Sequence, residues 1–567
     1  MKKNNKNIIL VCAAWPYANG SLHLGHAAAL LGADIVARYH RQKGDDVLFV
    51  SGSDCHGTAI AIEAMKQKKE PKEISDYYHN EFKESLIKGL KFTYDLYGKT
   101  SDEFHKKEVQ KIFLDLYKKG YLYEKSEELP FCISCNKFLP DRYIEGECPE
   151  CGFDSARGDQ CDNCGKLMDT KLLKNAKCKI CNNTAEWRES KHFFLKLTSL
   201  RDELVKYVKN NSKTWRANAI NFTLNYLEEG LHDRAITRDT DWGVEIPLPG
   251  YEDKKIYVWF EAVCGYLTAS KKWAEESGDK DAWKKFWGNN VWSYYVHGKD
   301  NIPFHTIIWQ AILLGHGGLH LPDQIVSSEY LTLEKKQFSK SRNWAVWLPD
   351  FLDRYESDTL RYYLVINGPE NSDSSFSWKE FQVRNNSELI GAFGNFIHRS
   401  FSFIEKNFNG KVFDKNINFK KDILFKKIQE SYKIIGTLIE KGKYRQALKT
   451  LMDLVDLANQ DINKLAPWKK VKEGLKDEAE KDLYKYLHVI NNLRVLCNPF
   501  IPDTSKKIAE ILGEKDISWS FKEEISNINI KNAKPLFRRI EDEEIEEELI
   551  NAENFARENK IGCLWED

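Results

Sequence analysis

The chain opens on an unbroken apolar run, IILVCAA, from Ile8 to Ala14. A run of that length bounded by a turn reads as a strand buried on both faces. The turn follows at Pro16, Asn19 and Gly20. From His26 to Lys43 apolar residues recur at Leu30, Ala33, Val36 and Tyr39, the spacing of one helix face, and Gly44 suits the C-terminal cap. VLFVSGSD, ending at Asp54, then predicts a second strand, and TAIAIEAMKQ a second helix. Strand, helix and strand in this order make a βαβ unit of a doubly wound sheet, with its chemistry at the carboxyl ends of the strands.

The alternation breaks near Tyr121 and returns further on. VWSYYVHGKD reads as a strand ending in a polar turn, IPFHTIIWQAILL as a helix and QIVSSEYLTL as another strand. The segment between is therefore inserted into a split, Rossmann-type α/β domain. From about Glu388 the pattern is helical throughout: LIGAFGNFIHRSFSFI, ILFKKIQESYKIIGTLI, YRQALKTLMDLVDLANQDIN and YKYLHVINNLRVL predict an all-α helix bundle. The acidic run EDEEIEEEL near the end reads as a solvated helix face.

Length and charge narrow this picture. A chain of 567 residues exceeds one compact core, so three or four domains are expected. Lys plus Arg and Asp plus Glu are 85 each, so bulk charge predicts no polyanion partner and any nucleic-acid surface must be a local patch. No apolar run approaches the ~20 residues of a membrane span, and Met1 to Asn7 lacks the apolar core of an export signal. A cytoplasmic protein without membrane contact is expected.

Eight of the thirteen cysteines fall in four CxxC pairs inside the insertion: Cys132/Cys135, Cys148/Cys151, Cys161/Cys164 and Cys178/Cys181. Without an export signal, such clustering favours metal over disulfides. Each CxxC turn points two thiolates at one ion, and two turns complete a tetrahedron, so eight sulfurs predict two zinc ions. Four ligands per ion leave no open position, which makes the zinc structural. Spacing leaves sequential and nested pairing both open.

His23 and His26 bracket Gly25 just after the first strand. They could be metal ligands, core residues or phosphate-facing groups. No further ligand lies nearby for a metal. A helix start with a close glycine is where backbone N–H groups and the helix dipole favour an anion, and imidazole N–H donors there can stabilise charge on a reacting phosphate. A second cationic stretch, EKKQFSKSRNW, carries Lys340 between two serines on a loop leaving a strand, suited to gripping outer phosphates.

HLGH and QFSKS resemble the HIGH and KMSKS signatures of class I aminoacyl-tRNA synthetases. Within that class the chain resembles the methionyl-tRNA synthetases over nearly its whole length. PYANGSLHLGH, SGSDCHGT, FLPDRYIEGECPECG, TRDTDWGVEIP, VWFEAVCGYL, HGKDNIPFH and QFSKSRNW occur in the order of that family. The resemblance divides the chain into catalytic halves 1–120 and 231–326, a zinc-knuckle insertion 121–230, a KMSKS-loop and stem-contact region 327–387, and a helical anticodon-binding domain 388–567.

The resemblance implies activation of methionine by ATP and transfer of the methionyl group to tRNA(Met), with Mg2+ accompanying ATP. It implies that His23, His26 and Lys340 stabilise the reacting phosphates, and that Gly25, Gly298, Asp300 and Lys340 bind ATP. It implies a methionine pocket of Tyr17, Asp54, Trp259, Ala262, Tyr266, Phe304 and His305, with Asp54 on the ammonium and a tyrosine or imidazole donor for the thioether. It favours the nested pairing of the knuckles, Cys148, Cys151, Cys161 and Cys164 in one site and Cys132, Cys135, Cys178 and Cys181 in the other. It assigns anticodon reading to Asn395, Arg399, Pro467 and Trp468. The helical domain ends without an obvious dimerisation module, so a monomer is expected. Trp15, Gln337, Glu261 and Val263 depart from the family pattern; Trp15 is expected to narrow or reshape the pocket. The rivals are another class I synthetase, which would need an editing domain or a zinc in the amino-acid pocket, a catalytically dead zinc-ribbon RNA binder, or a simple nucleotidyltransferase.

Overall fold

The computed structural model describes residues 6–558 except 141–142, 159–160, 162–163, 165–167, 169, 339–343, 415–416 and 526–527. The opening βαβ unit forms as its pattern dictates: β1 (Ile8–Ala13), α1 (Leu24–Lys43), β2 (Asp46–Ser53) and α2 (Thr58–Gln67). α1 begins two residues before the apolar periodicity does, because His23 itself supplies the N-cap. It ends at Gly44, whose φ of 85° is the left-handed cap that glycine adopts without strain. β3 (Leu96–Lys99) and α3 (Glu103–Lys118) complete the first half.

The insertion is carried on a long antiparallel hairpin of β4 (Leu122–Cys132) and β5 (Glu186–Leu195), in register from Leu122 opposite Leu195 to Phe131 opposite Glu186. The second half supplies α4 (Val258–Glu276), β6 (Val291–Gly298), α5 (Trp309–His316) and β7 (Gln324–Ser328). The five strands pair in parallel in the order β7–β6–β1–β2–β3. Chain direction across the sheet reverses between β1 and β6, and a ligand crevice opens outside the strand ends at such a switch point.

Three expectations need correction. QIVSSEYLTL is two strands, since β7 ends at Ser328 and Leu331–Leu333 joins a different three-stranded sheet. A residue pair at the bend, Glu329 and Tyr330, leaves the ladder to hold Lys299 and Asp300. IPFHTIIWQAILL opens with a wide π-turn at Phe304–Ile308 before α5, which re-aims Phe304 and His305. The acidic run lies on a terminal helix, Asp542–Glu558, but is not wholly solvated: Ile545 and Glu548 are buried, and Glu548 bonds Arg354 and Tyr355.

The helical half begins before Glu388, as a continuous rod of Trp378–Val383, a π-helical stretch Arg384–Gly394 and α6 (Asn395–Phe408). It continues through α7 (Ile423–Glu440), α8 (Tyr444–Leu465), α9 (Pro467–Lys472) and α10 (Lys476–Cys497). The halves are joined at α1. Asp34 on its inner face bonds Arg38 at 2.7 Å and, fully buried, Arg361 at 2.8 Å. Arg361 also donates to the carbonyls of Leu90, Pro499 and Phe500, so this buried pair is fully hydrogen-bonded and breaking it would strand a charge.

Candidate active site and metal centres

At the crevice, His23 caps α1. Its Nδ1 accepts from the Gly25 N–H at 3.1 Å, and the Nδ1 of His26 accepts from the His23 N–H at 3.1 Å. With both Nδ1 atoms acting as acceptors, the neutral rings carry their proton on Nε2. A Cβ on Gly25 would lie 2.9 Å from the His23 ring, so the glycine is required by this fold-back. The loop of the second signature reaches the first: Phe338 stacks on His23 with centroids 4.6 Å apart at 10°. A two-residue turn, Glu334 and Lys335 with φ of 44° and 65°, delivers that loop. Lys340 lies outside the described residues.

Gly298 ends β6, and Asp300 in the following turn accepts a hydrogen bond from the Tyr330 hydroxyl. Lys299 lies 3.8 Å over the Tyr330 ring and bonds Glu329 at 2.9 Å and Asp373 at 2.7 Å, which fixes the tyrosine. Asp300 itself is exposed at the mouth.

Beside this mouth, Trp259 and Phe304 stack at 4.0 Å and 8°, and Tyr17 meets Trp259 edge-on at 5.5 Å. Ala262 and Tyr266 follow Trp259 along one face of α4, both buried. Asp54 is buried; its backbone N–H donates to Pro16 and its carbonyl accepts from Ala18, which locks it opposite Tyr17. Burial first, and then the charge of Glu261, push its carboxyl well above the usual range, against the opposing His56 N–H.

The expected donor to a thioether is already committed. The Tyr266 hydroxyl lies 2.7 Å from His305 Nε2, and His305 Nδ1 lies 2.8 Å from the Asn301 carbonyl. A carbonyl only accepts, so Nδ1 carries the ring proton and Nε2 takes that of Tyr266. Burial lowers His305 to about 4, which keeps it neutral. His297 stacks on its outer face at 4.2 Å. Trp15 lies in a slot of three glycines: a Cβ at Gly52, Gly98 or Gly265 would come within 2.4, 3.2 or 2.8 Å of the indole.

The eight cysteines form two groups with nested partners. Cys132, Cys135, Cys178 and Cys181 converge, as do Cys148, Cys151, Cys161 and Cys164, all sulfurs of a group lying within 4.8 Å of one another. Sulfur–sulfur distances of 3.4 and 3.9 Å in the first and 3.7 and 3.9 Å in the second are far too long for disulfides. A tetrahedron with Zn–S near 2.3 Å has edges of about 3.8 Å, so the donor set fits zinc. The Cys135 N–H points at Cys132 Sγ, 3.4 Å away. The turns close through left-handed residues after the second cysteine, Gly152 at φ 71° and Asn136 and Asn182 at 48° and 59°.

At the far end, Arg399 on α6 lies 4.9 Å over the Trp468 ring and donates to Asn463 at 3.1 Å. Pro467 is buried at the first position of α9, which holds Trp468 half-buried, and Asn395 is exposed one turn before Arg399.

Sequence reasoning passed over His56, His105, Phe338, Tyr330 and His297. Phe338, His56 and His297 stand inside the signature stretches QFSKSRNW, SGSDCHGT and HGKDNIPFH, and that position is the signal the sequence offers for them.

A sheet of this strand order, opening on a histidine-capped helix against which Phe338 of the second signature stacks, defines a class I aminoacyl-tRNA synthetase. Residues 9–401 match the family model "tRNA synthetases class I (M)", and residues 415–557 match "Anticodon binding domain of methionyl tRNA ligase". A methionine–tRNA ligase of Bacillus mycoides (strain KBAB4) is 48% identical over 543 residues, covering 95% of this chain and 98% of the relative. One of Streptococcus pneumoniae (strain CGSP14) is 48% identical over 544 residues, 96% of this chain and 98% of the relative. The solved Mycobacterium tuberculosis methionyl-tRNA synthetase in complex with methionyl-adenylate shares the fold, with a TM-score of 0.78 at 23% identity over 94% of this chain and 99% of that one. The chain belongs to the methionyl-tRNA synthetase family.

Proposed function

We infer that this chain activates L-methionine and attaches it to tRNA(Met). The near-half identity to methionine–tRNA ligases along 95% of the chain carries the reading, and the site chemistry agrees with it. A methionine carboxylate oxygen attacks the α-phosphorus of ATP, the bond to the bridging β-oxygen breaks, and pyrophosphate leaves. The terminal ribose hydroxyl of the tRNA then attacks the carbonyl carbon of methionyl-adenylate, gives up its proton, and AMP leaves.

In this reading Asp54 holds the ammonium and Trp259, Phe304, Tyr17, Ala262 and Tyr266 enclose the thioether. With Tyr266 and His305 bonded to each other, recognition rests on polarizable contact between sulfur and aromatic faces. The Nε2 protons of His23 and His26 stabilise charge on the phosphates, Asp300 takes the ribose hydroxyls with Gly25 and Gly298 allowing close approach, and Lys340 grips the outer phosphates. Mg2+ enters with ATP. The two cysteine groups hold one structural zinc each, which fixes the insertion. Asn395, Arg399, Pro467 and Trp468 read the anticodon by stacking and hydrogen bonding to unpaired bases. The chain acts as a monomer in the cytoplasm; among the described residues no helix is long and apolar enough to cross a membrane.

Charging of tRNA(Met) with labelled methionine tests the reading, and a chain that charges another tRNA or none overturns it. Lys340→Ala should slow adenylate formation by about a hundredfold, the scale of one lost transition-state donor; wild-type rates would refute its role.

A further inference from the structure

Glu261, a second buried carboxylate behind Asp54, has no task in the reading above. It sits two residues past Trp259 on α4 and is fully buried. Its Oε1 lies 2.7 Å from His56 Nδ1 and its Oε2 lies 3.5 Å from His105 Nε2. His105 is fixed from its other side by Thr268, 2.8 Å from Nδ1. His56 packs edge-on against Trp242, whose indole N–H donates to the Cys55 carbonyl at 2.7 Å. Trp15 closes the remaining side, its ring 6.0 Å from that of His105. The loop after β2, α3 and α4 thus converge on one carboxylate.

An isolated buried anion costs several kcal/mol, so such a group persists only where partners hold it. Burial pushes the Glu261 carboxyl up, and His56 and His105 outweigh that and hold it below the usual range, so it stays ionised. Glu261 therefore sets a negative charge whose field reaches Asp54 across His56 and raises its carboxyl.

We propose that Glu261 is a positioning residue for the amino-acid ammonium: it does not touch the substrate, but its charge adds to that of Asp54, and His56 ties the two together. The imidazole of His56 bonds Glu261 while its backbone N–H lies 3.4 Å from Asp54 Oδ1. The site so built selects ligands by a cationic α-amine. This inference rests on Asp54 being the ammonium partner.

The titratable groups beside Asp54 are His56 and Cys55 on its own loop, Tyr17 across from it and Glu261 on α4, with His105 of α3 against Glu261. Burial pushes the Cys55 thiol up to about 12, so it stays neutral at working pH. Glu261 is then the anion whose removal relaxes Asp54. Because a neighbouring negative charge raises a carboxyl, Glu261→Gln lowers Asp54, and the acid limb of the pH profile moves to lower pH.

The test compares the full-length wild type with Glu261→Gln and Glu261→Asp in ATP–pyrophosphate exchange across pH. In Glu261→Gln the KM for methionine should rise about tenfold on the plateau where Asp54 is ionised and the α-amine of methionine still cationic, a coupling of about one pH unit, with kcat within about twofold. The acid limb of kcat/KM should move to lower pH, and Glu261→Asp should restore part of both effects. Inhibition by methioninol, which keeps the amine, should weaken in parallel. Inhibition by 4-(methylthio)butanoate, which lacks it, should be unchanged or tighter, an outcome that a merely distorted pocket would not give. An unmoved acid limb, or equal weakening of both inhibitors, overturns the inference. If the wild type shows no methionine-dependent exchange, the functional reading fails instead.

Discussion

The pocket proposed for the amino acid and the surface proposed for the anticodon both rest on a tryptophan beside a polar group, yet they are built in opposite ways. In the pocket, Trp259 is clamped by Phe304 and Tyr17, and the polar atoms behind it, from Asp54 through His56 to Glu261, are buried and bonded to one another. At the far end, Arg399 lies over Trp468 on a half-buried surface, with exposed Asn395 and Lys469 around it. A preformed, desolvated pocket discriminates a small ligand by charge and shape. An open stacking platform keeps its aromatic and cationic faces for a base that arrives from solvent. Damage should therefore separate cleanly by reaction step.

The largest effect is expected at Asp54. Asp54→Asn should cut kcat/KM for methionine in exchange by at least about a hundredfold, the scale of breaking a buried charge pair. The same change should raise Tm near neutral pH. The folded-state pKa of Asp54 is raised, so the native state binds the proton more tightly than the unfolded chain and loses stability as pH rises through this range. The Tm gain should vanish at acid pH, where Asp54 is protonated in both states. A fall in Tm at neutral pH would contradict the electrostatics described here.

Next in size is the opposite end. Trp468→Ala or Arg399→Ala should reduce tRNA charging by about tenfold, as for the loss of one stacked base, while methionine-dependent exchange stays at wild-type rate. Equal loss of both activities would make these residues structural.

The insertion sharpens the same contrast of buried and open. In the group of Cys132, Cys135, Cys178 and Cys181 two sulfur-bearing residues are buried and two half-buried, whereas Cys151 and Cys164 of the other group are exposed. Metal analysis should return about two zinc per chain by ligand count. A chelator should strip the group of Cys148, Cys151, Cys161 and Cys164 first, leaving about one zinc; simultaneous loss of both ions would contradict the difference. The smallest expected effect is at Tyr266. Tyr266→Phe removes one buried hydrogen bond to His305 and should raise the KM for methionine by about threefold to tenfold.

Much of this architecture is legible in the chain because its cues are local. The apolar run at Ile8 to Ala13, the spacing through α1 and Gly44 at its end all state their structure within a few residues. The four long bundle helices are equally plain. The cysteine grouping is not, because Cys132 meets Cys178 only through the β4–β5 hairpin and the small sheet beside it, and CxxC spacing is silent on which turns meet. The wide turn at Phe304–Ile308 keeps helical periodicity in the sequence, so only tertiary packing reveals the change in aim. The aromatic residues proposed for the pocket are reachable by resemblance, but the proton inventory is not. That Tyr266 donates to His305, or that His56 and His105 meet at Glu261, depends on three-dimensional contacts across separate elements.

The central claim, that this pocket selects methionine for adenylation, is tested most directly by ATP–pyrophosphate exchange with a panel of amino acids. Exchange driven by methionine above isoleucine, valine, leucine and cysteine is predicted. Exchange driven preferentially by another amino acid, or by none, would contradict it.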